Sequence, residues 1–358
     1  MKILQIIDRL HLAGAQTMCG HLSVELKKSG HDVVVVGLYS MRSAISELLA
    51  ENGIKVIYLN KKPGFDFSIT RRLRKVIKME APDVIHTHIG VFCYCALAVT
   101  GLGMKRWIHT VHTLAHREAP GIKGVIAGMF FRSRKVKPVA LSGVVQKTIA
   151  EKYKLEMSEI PIAFNGVDLS RCIVKSDYLV SDDFTIIHIG RFCGVKNHEG
   201  LIRAFDLFHR RHPDSKLCLI GKGELEQEIK AYVETLGIAN SVQFLGSQDN
   251  VYPFLNQSDV FALTSFAEGI PMTMIEAMGT GLPIVATAVG GVSDMLENNV
   301  NALLCEVDAE QISDCFEKYY LDEKLREKHG RAAFERSKAF SAEEMAEKYL
   351  NIYLKMFD

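Results

Sequence analysis

Residues 184–198 read FTIIHIGRFCGVKNH. The first six are β-branched or aromatic apart from His188, the pattern of a strand buried on both faces of a parallel sheet. Gly190 ends the run and a helical pattern begins near His198, so the stretch is one strand–loop–helix unit. Just upstream, residues 165–183 are polar and rich in turn formers, and the alternation they interrupt resumes at Phe184. A βα series that stops and restarts is expected of two successive domains.

The alternation extends both ways from that break. Before it stand KILQIID, a helix over about 15–29, HDVVVVGL, a helix near 43–51, IKVIYL, a helix over 69–78, DVIHTH, an apolar helix after Ile89, WIHTVH, and KPVAL followed by VVQKTIAEKY. After it come a helix over 198–211, SKLCLIG, a helix over 224–236, VQFLG, a short helix from about Val251, DVFALTS and PIVATA. Strands alternating with helices specify parallel, doubly wound sheets. At 358 residues the chain exceeds a single core, which stops growing at roughly 250–300 residues. The expected organisation is a first Rossmann-like domain over 1–165, a linker over 166–182 and a second Rossmann-like domain over 183–340. The helix of 341–358 carries Met345, Tyr349, Tyr353 and Met356 at helical spacings, which allows it to cross back onto the first domain.

Composition is that of a globular protein, 48% hydrophobic and 24% charged. Eight cysteines without a C-x-x-C pair read as buried free thiols. The start, MKILQIID, lacks signal-peptide features, and the longest apolar candidate, 89–104, has 16 residues, short of the ~20 a bilayer helix needs. A cytoplasmic protein is expected. The net charge of +1 hides an asymmetry: residues 1–175 hold 26 Lys+Arg against 13 Asp+Glu, and the remainder is correspondingly acidic.

Ligands of open parallel sheets gather where strands end. The first such loop, Leu10 to Gln16, places Gly14 and Ala15 at a helix start, where small residues let amides approach an anion; a plain tight turn explains it equally well. In the loop after FTIIHIG, Gly190 precedes Arg191 and Lys196, a planar guanidinium and a flexible ammonium able to surround one diphosphate without a metal. Gly221, Lys222 and Gly223 form another glycine-bearing turn. The run FAEGIPMTMIEAMGTGLPIVATAVGG, 266–291, puts Glu268, Gly269 and Ile270 in a loop, Pro271 as first helical residue, and a helix to about Gly279 ended by Gly281. Amides near Ile270, Met272 and Thr273 then offer an anion or hydroxyl site, with Glu276 about a turn and a half inside. The histidines His86, His88, His109, His112 and His116 lack an accompanying cysteine or carboxylate cluster, so no metal site is expected.

Together these loops resemble the retaining glycosyltransferases of family 4, which have a GT-B architecture of two Rossmann-like domains facing each other across a cleft. The resemblance spans nearly the whole chain through the AGAQ loop, DVIHTH, HTVH, ALS at 140–142, FNGVD at 164–168, GRFCGVKN, GKGE, and EGIPMTMIE with GLPIVAT and VGG, the family's E-x7-E signature in context. It implies transfer of a sugar from a nucleotide-diphosphate sugar, a UDP-sugar favoured over a GDP-sugar, to a glycan or lipid-linked acceptor, with no cofactor or metal. Arg191 and Lys196 would hold the diphosphate, Glu276 the ribose, Glu268 with Gly269, Ile270, Pro271, Met272 and Thr273 the donor sugar, and His112 would lie near that sugar. Gly14, Ala15, Gly190, Gly221, Lys222 and Val251 would complete the donor site once the domains close. Ala13-Gly14 and Gln16 replace the family's paired glycines and Glu, and Asp294 stands where Glu is frequent. Basic clusters at 61–80 and 132–137 suggest peripheral docking to the anionic inner face of a membrane. Other readings are an epimerase of the same fold, a non-catalytic sugar-nucleotide binder and a nicotinamide-dependent oxidoreductase, the last lacking its G-x-G-x-x-G. Nucleic-acid binding is not expected, because aromatic residues do not interleave with the basic clusters.

Overall fold

The computed structural model describes every residue except 12, 65, 105, 181, 182 and 358. The chain forms two compact units, residues 1–167 with 341–358, and 168–340.

In the first unit strands β1 (Lys2–Ile7), β2 (Asp32–Gly37), β3 (Lys55–Tyr58), β4 (Val84–Thr87), β5 (Trp107–Val111) and β6 (Lys137–Ala140) alternate with helices α1 (Gly14–Lys28), α2 (Ala44–Glu51), α3 (Phe67–Glu80), α4 (Phe92–Val99), α5 (Ala115–Glu118), α6 (Ile122–Arg132) and α7 (Gly143–Tyr153). The sheet is parallel throughout, in the order β3-β2-β1-β4-β5-β6. Because strand side chains alternate, Leu4, Ile6, Val34 and Val36 face one core with Ile69 and Leu73 of α3, Phe92 of α4 and Phe131 of α6. The apolar run at 89–104 yields only α4, since Gly90 adopts φ 81° before it and Gly101 and Gly103 follow with φ 73° and 67°.

The second unit repeats the plan with β7 (Phe184–Ile189), β8 (Ser215–Ile220), β9 (Val242–Gly246), β10 (Val260–Leu263), β11 (Ile284–Thr287) and β12 (Leu303–Cys305). Its helices are α8 (His198–His209), α9 (Glu226–Leu236), α10 (Tyr252–Gln257), α11 (Met272–Gly279), α12 (Val292–Met295), α13 (Ala309–Leu321) and α14 (Glu323–Ser337). The parallel order β12-β11-β10-β7-β8-β9 is the first unit's order read from the other edge. Strand order therefore reverses direction between β1 and β4, and again between β7 and β10, the places where doubly wound sheets bind ligands.

The stretch expected as a linker, 166–182, lies largely on the second unit. Tyr178 is buried with its hydroxyl donating to the Gly281 carbonyl at 2.8 Å, and Lys175 donates to the Ser258 carbonyl at 2.7 Å. The final helix α15 (Ala342–Leu354) belongs to the first unit: Val167 pairs with Ser341, and Tyr349 and Tyr353 are fully buried. Gly166 permits that approach, because a Cβ there would collide with the Ser341 carbonyl. Among the described residues no helix is long and apolar enough to cross a membrane, and all eight cysteines are free.

Candidate active site

Close backbone approach explains the glycines around β7. A side chain at Gly190 would meet the His188 ring at 2.8 Å, and one at Gly221 would strike the Gly190 carbonyl. The Gly190 amide donates to Ile220 at 2.9 Å, so the GKGE turn bearing Lys222 is held against the GRF loop. A single turn at Gly194–Lys196 then directs Lys196 toward the end of β10. Lys196 Nζ lies 2.7 Å from Glu268 Oε1, which also accepts from Ser265 Oγ at 2.5 Å. Asn197, in the left-handed region at φ 51°, caps α8 by accepting from the Gly200 amide at 3.1 Å and donates to the Thr264 carbonyl at 3.0 Å. The loops after β7 and β10 are thus tied together where the strand order reverses.

Glu268 and Gly269 are fixed from behind by Gly290 and Gly291, where added Cβ atoms would run into the carbonyls of 268 and 269. The helix start differs by one residue from the sequence expectation. Pro271 has ψ 120° and serves as the N-cap, its carbonyl accepting from Met274 at 3.2 Å, and the helix begins at Met272. The reason is that Pro271 presets φ but need not adopt helical ψ to accept the first helical bonds. No acceptor among the described residues meets the Met272 and Thr273 amides, while Thr273 Oγ1 donates to Ile189 at 3.3 Å. One turn further in, burial pushes the Glu276 carboxyl up to about 7, with Arg171 opposing. Beside it the Tyr252 hydroxyl is buried without a hydrogen-bond partner among the described residues, and Arg171 stacks 5.0 Å from the Tyr252 ring. Val251 is the N-cap of α10. Arg191 pairs with Glu224 at 2.9 Å, both side chains more than half exposed.

The remaining expected residues belong to the first unit. Gly14 opens α1 with open space where a Cβ would project, Ala15 follows it, and Leu12 of that loop lies outside the described residues. Gln16 donates to Asp8 Oδ1 at 3.2 Å. His112 stands just past β5, and its position depends on a residue that the sequence reading passed over. Glu118 Oε2 accepts from the amides of His112 at 2.6 Å and Thr113 at 3.1 Å, and Oε1 lies 3.1 Å from His109 Nε2. Burial acts to raise the Glu118 carboxyl, but the hydrogen bond from His109, the charges of His109 and His112 and the His112 amide together outweigh it and hold the group below the usual carboxylate value. The histidines therefore do have a carboxylate partner. Its sequence signal is isolation: Glu118 is the only acidic residue from Val84 to Ala150. Among the described residues no group of three or more His, Cys, Asp or Glu is arranged to hold a metal.

Two doubly wound units, each presenting loops at its switch point, are the make-up of GT-B glycosyltransferases. Residues 12–171 match the family described as Glycosyltransferase Family 4, and residues 173–336 match that described as Glycosyl transferases group 1. N-acetyl-alpha-D-glucosaminyl L-malate synthase of Bacillus anthracis is 28% identical over 81% of this chain and 79% of its own. UDP-Gal:alpha-D-GlcNAc-diphosphoundecaprenol alpha-1,3-galactosyltransferase of Escherichia coli is 26% identical over 66% of this chain and 65% of its own. HepE of Anabaena, solved with UDP-glucose, shares the fold with a TM-score of 0.84 at 19% identity, covering 99% of this chain and 100% of that one. The two matches identify the chain as a glycosyltransferase whose first domain is of the Glycosyltransferase Family 4 type and whose second is of the Glycosyl transferases group 1 type.

Proposed function

We propose that this glycosyltransferase moves a hexose or N-acetylhexosamine from a UDP-sugar to a glycan or lipid-linked saccharide, with retention of anomeric configuration and without a metal. The observation that carries this reading is the Lys196–Glu268 pair at 2.7 Å beside the unmet Met272 and Thr273 amides. In such a reaction the anomeric carbon loses its bond to the diphosphate oxygen, which leaves with the electron pair, so positive charge grows on the sugar and negative charge on the leaving group. A fixed ammonium, the Arg191 guanidinium and helix-start amides stabilise that negative charge. The acceptor hydroxyl bonds to the anomeric carbon on the face the diphosphate leaves, and its proton passes to the departing phosphate, so no protein nucleophile or general base is assigned. Glu276 accepts from the ribose hydroxyls, Glu268 and the backbone of 269–273 bind the donor sugar, and the family resemblance assigns His112 to the same sugar. UDP is favoured because the Escherichia coli relative is named for UDP-Gal and HepE was solved with UDP-glucose.

The test is a thermal-shift screen of UDP, GDP and ADP with their sugars, followed by nucleoside-diphosphate release with an acceptor in EDTA. Stabilisation by UDP species and acceptor-dependent release of UDP are expected, with an α-linked product from an α-linked donor. Epimerised sugar from donor alone, or binding without turnover on any acceptor, sinks the transferase reading in favour of its alternatives.

A lipid-linked acceptor also calls for a membrane-facing surface on a cytoplasmic protein. The outer side of α3, α4 and α6 exposes Met79, Leu97, Ile122, Val125 and Met129 among Arg71, Lys75, Lys78 and Lys123, while the one carboxylate between Val84 and Ala150 is the buried Glu118. Apolar side chains amid cations suit an anionic bilayer. Salt-sensitive co-sedimentation with phosphatidylglycerol vesicles is expected, and equal binding to neutral vesicles removes this role.

A further inference from the structure

We infer that Gln5 of β1 is a positioning residue that fixes His112 in the tautomer carrying hydrogen on Nε2 and a lone pair on Nδ1, with Tyr353 of α15 completing the device. The inference rests on the proposed role of His112 toward the donor sugar.

A continuous chain of hydrogen bonds runs from the half-buried His112 into the buried interior of the first unit. His112 Nε2 lies 3.1 Å from His88 Nδ1, and His88 Nε2 lies 2.8 Å from Gln5 Oε1. Gln5 Nε2 donates to the Tyr353 hydroxyl at 3.5 Å, which lies 2.8 Å from His86 Nδ1. His86 Nε2 lies 2.8 Å from Thr110 Oγ1, and Thr110 Oγ1 lies 2.8 Å from the Tyr349 hydroxyl. Burial, the leading cause, pushes His86 and His88 well below the ordinary histidine value, and it pushes His112 to about 4. Each ring is therefore neutral near pH 7 and has one donor and one acceptor nitrogen.

A chain of neutral rings can run in only two directions, and its ends choose between them. A phenol is a stronger donor than acceptor, and a bare imidazole nitrogen is a strong acceptor. Tyr353 accordingly gives its proton to His86 Nδ1 and accepts from Gln5 Nε2. The Gln5 oxygen is then turned to His88, which donates from Nε2 and accepts at Nδ1 from His112 Nε2–H. Nδ1 is the His112 nitrogen without a protein partner among the described residues, so His112 presents an acceptor suited to a sugar hydroxyl. Glu118 fixes the backbone of that residue, and Gln5 fixes the direction of its ring hydrogen bonds. This also gives α15 a role in the first unit beyond packing.

Two-bond ¹⁵N–¹H correlation spectra of the labelled full chain test this, with His112 assigned by the signal lost in His112→Asn. The wild type is expected to show His112 protonated at Nε2. Gln5→Leu leaves His88 Nε2–H without an acceptor, so the chain is expected to reverse, moving His112 toward Nδ1–H. The kcat is expected to fall roughly tenfold with the donor KM within about twofold, as for a contact realised in the transition state. A wild-type His112 protonated at Nδ1, or an unchanged tautomer in Gln5→Leu, overturns the inference. If Gln5→Leu does not fold, Tyr353→Phe supplies the same reading, with a mixed His112 population expected and an unchanged one overturning it. Full activity of His112→Ala, by contrast, removes the role of His112 toward sugar while leaving the tautomer result standing.

Discussion

The two units share a strand order but treat their switch points in opposite ways. At β7/β10 polar groups are left wanting partners: the amides of Met272 and Thr273, the Tyr252 hydroxyl, and a Glu276 carboxyl driven up to about 7 by burial. At β1/β4 most of the polar groups are partnered within the unit, with both ring nitrogens of His86 and His88 hydrogen-bonded and Glu118 meeting two amides and an imidazole, while among the described residues His11 Nδ1 and His112 Nδ1 stay unmet. Unsatisfied buried groups cost stability unless a ligand supplies their partners. On the proposed reading the unmet groups of the second unit await a ligand, whereas the first mostly holds its own side chains still.

The largest expected effect tests the receiving side. Lys196→Ala and Arg191→Ala are each expected to reduce turnover by about 10²–10³-fold, the usual consequence of removing a group aimed at developing charge. Neither is expected to move the unfolding transition much, because the Arg191–Glu224 pair is exposed and screened by solvent and Ser265 still satisfies Glu268 in the lysine variant. Steady-state release of nucleoside diphosphate alongside calorimetry separates the two readouts. Near-normal activity in either variant removes that residue from the chemistry, and an unfolded Lys196→Ala makes the ion pair structural and erases the contrast between the units.

The saturated side is expected to respond in stability first. Glu118→Gln keeps one accepting oxygen but loses the charge-assisted bonds, which is expected to cost about 1–3 kcal/mol. Trp107, the only tryptophan, is buried in β5 and donates to Thr87 at 2.8 Å, so its fluorescence reports on this unit alone. Glu118 titrates lower in the fold than its ordinary value of 4.5. Its contribution is therefore present above that value and is lost as pH falls through the folded one. Unchanged denaturation midpoints would show that the network is not under load.

The same contrast explains what the sequence made legible. The βα alternation, the break near 165–183 and the glycine-marked loops are local patterns, and each appears in the fold within a few residues. The nearness of Lys196 to Glu268 was readable for a related reason: the two sit on loops whose strands, β7 and β10, are neighbours in a doubly wound sheet. The saturated network was not, because its bonds join Gln5 to Tyr353 and Thr110 to Tyr349, pairs 348 and 239 positions apart. Helical spacing announced that Tyr349 and Tyr353 share a face, but no local rule says what that face meets. Glu118 was overlooked because it lies on a four-residue helix after a strand end, where a lone carboxylate looks like surface charge. Pro271 fell one residue from expectation because a proline fits the N-cap and the first helical turn almost equally well.

The smallest expected effect is a pH dependence that sharpens the contrast without disrupting either unit. The Glu276 carboxyl titrates at about 7 in the fold against an ordinary 4.5. The protonated form is therefore favoured by folding, and the ligand-free protein loses stability as pH rises from 4.5 through 7. Ribose hydroxyls donate best to an ionised carboxylate, so UDP binding must first remove that proton. Affinity for UDP is accordingly expected to increase roughly tenfold from one pH unit below the folded value to well above it, then level off. The terminal phosphate of UDP titrates in a neighbouring range, and Glu276→Gln supplies the control: its profile is expected to retain only the phosphate's contribution and to bind more weakly at high pH. Calorimetric titrations in two buffers of different ionisation enthalpy count the proton directly, with release near pH 6.5 expected for the wild type beyond that of the variant. Identical proton counts would mean that Glu276 does not meet the nucleotide as an anion, and the unsatisfied carboxyl would then be a cost of packing α11 rather than a prepared contact.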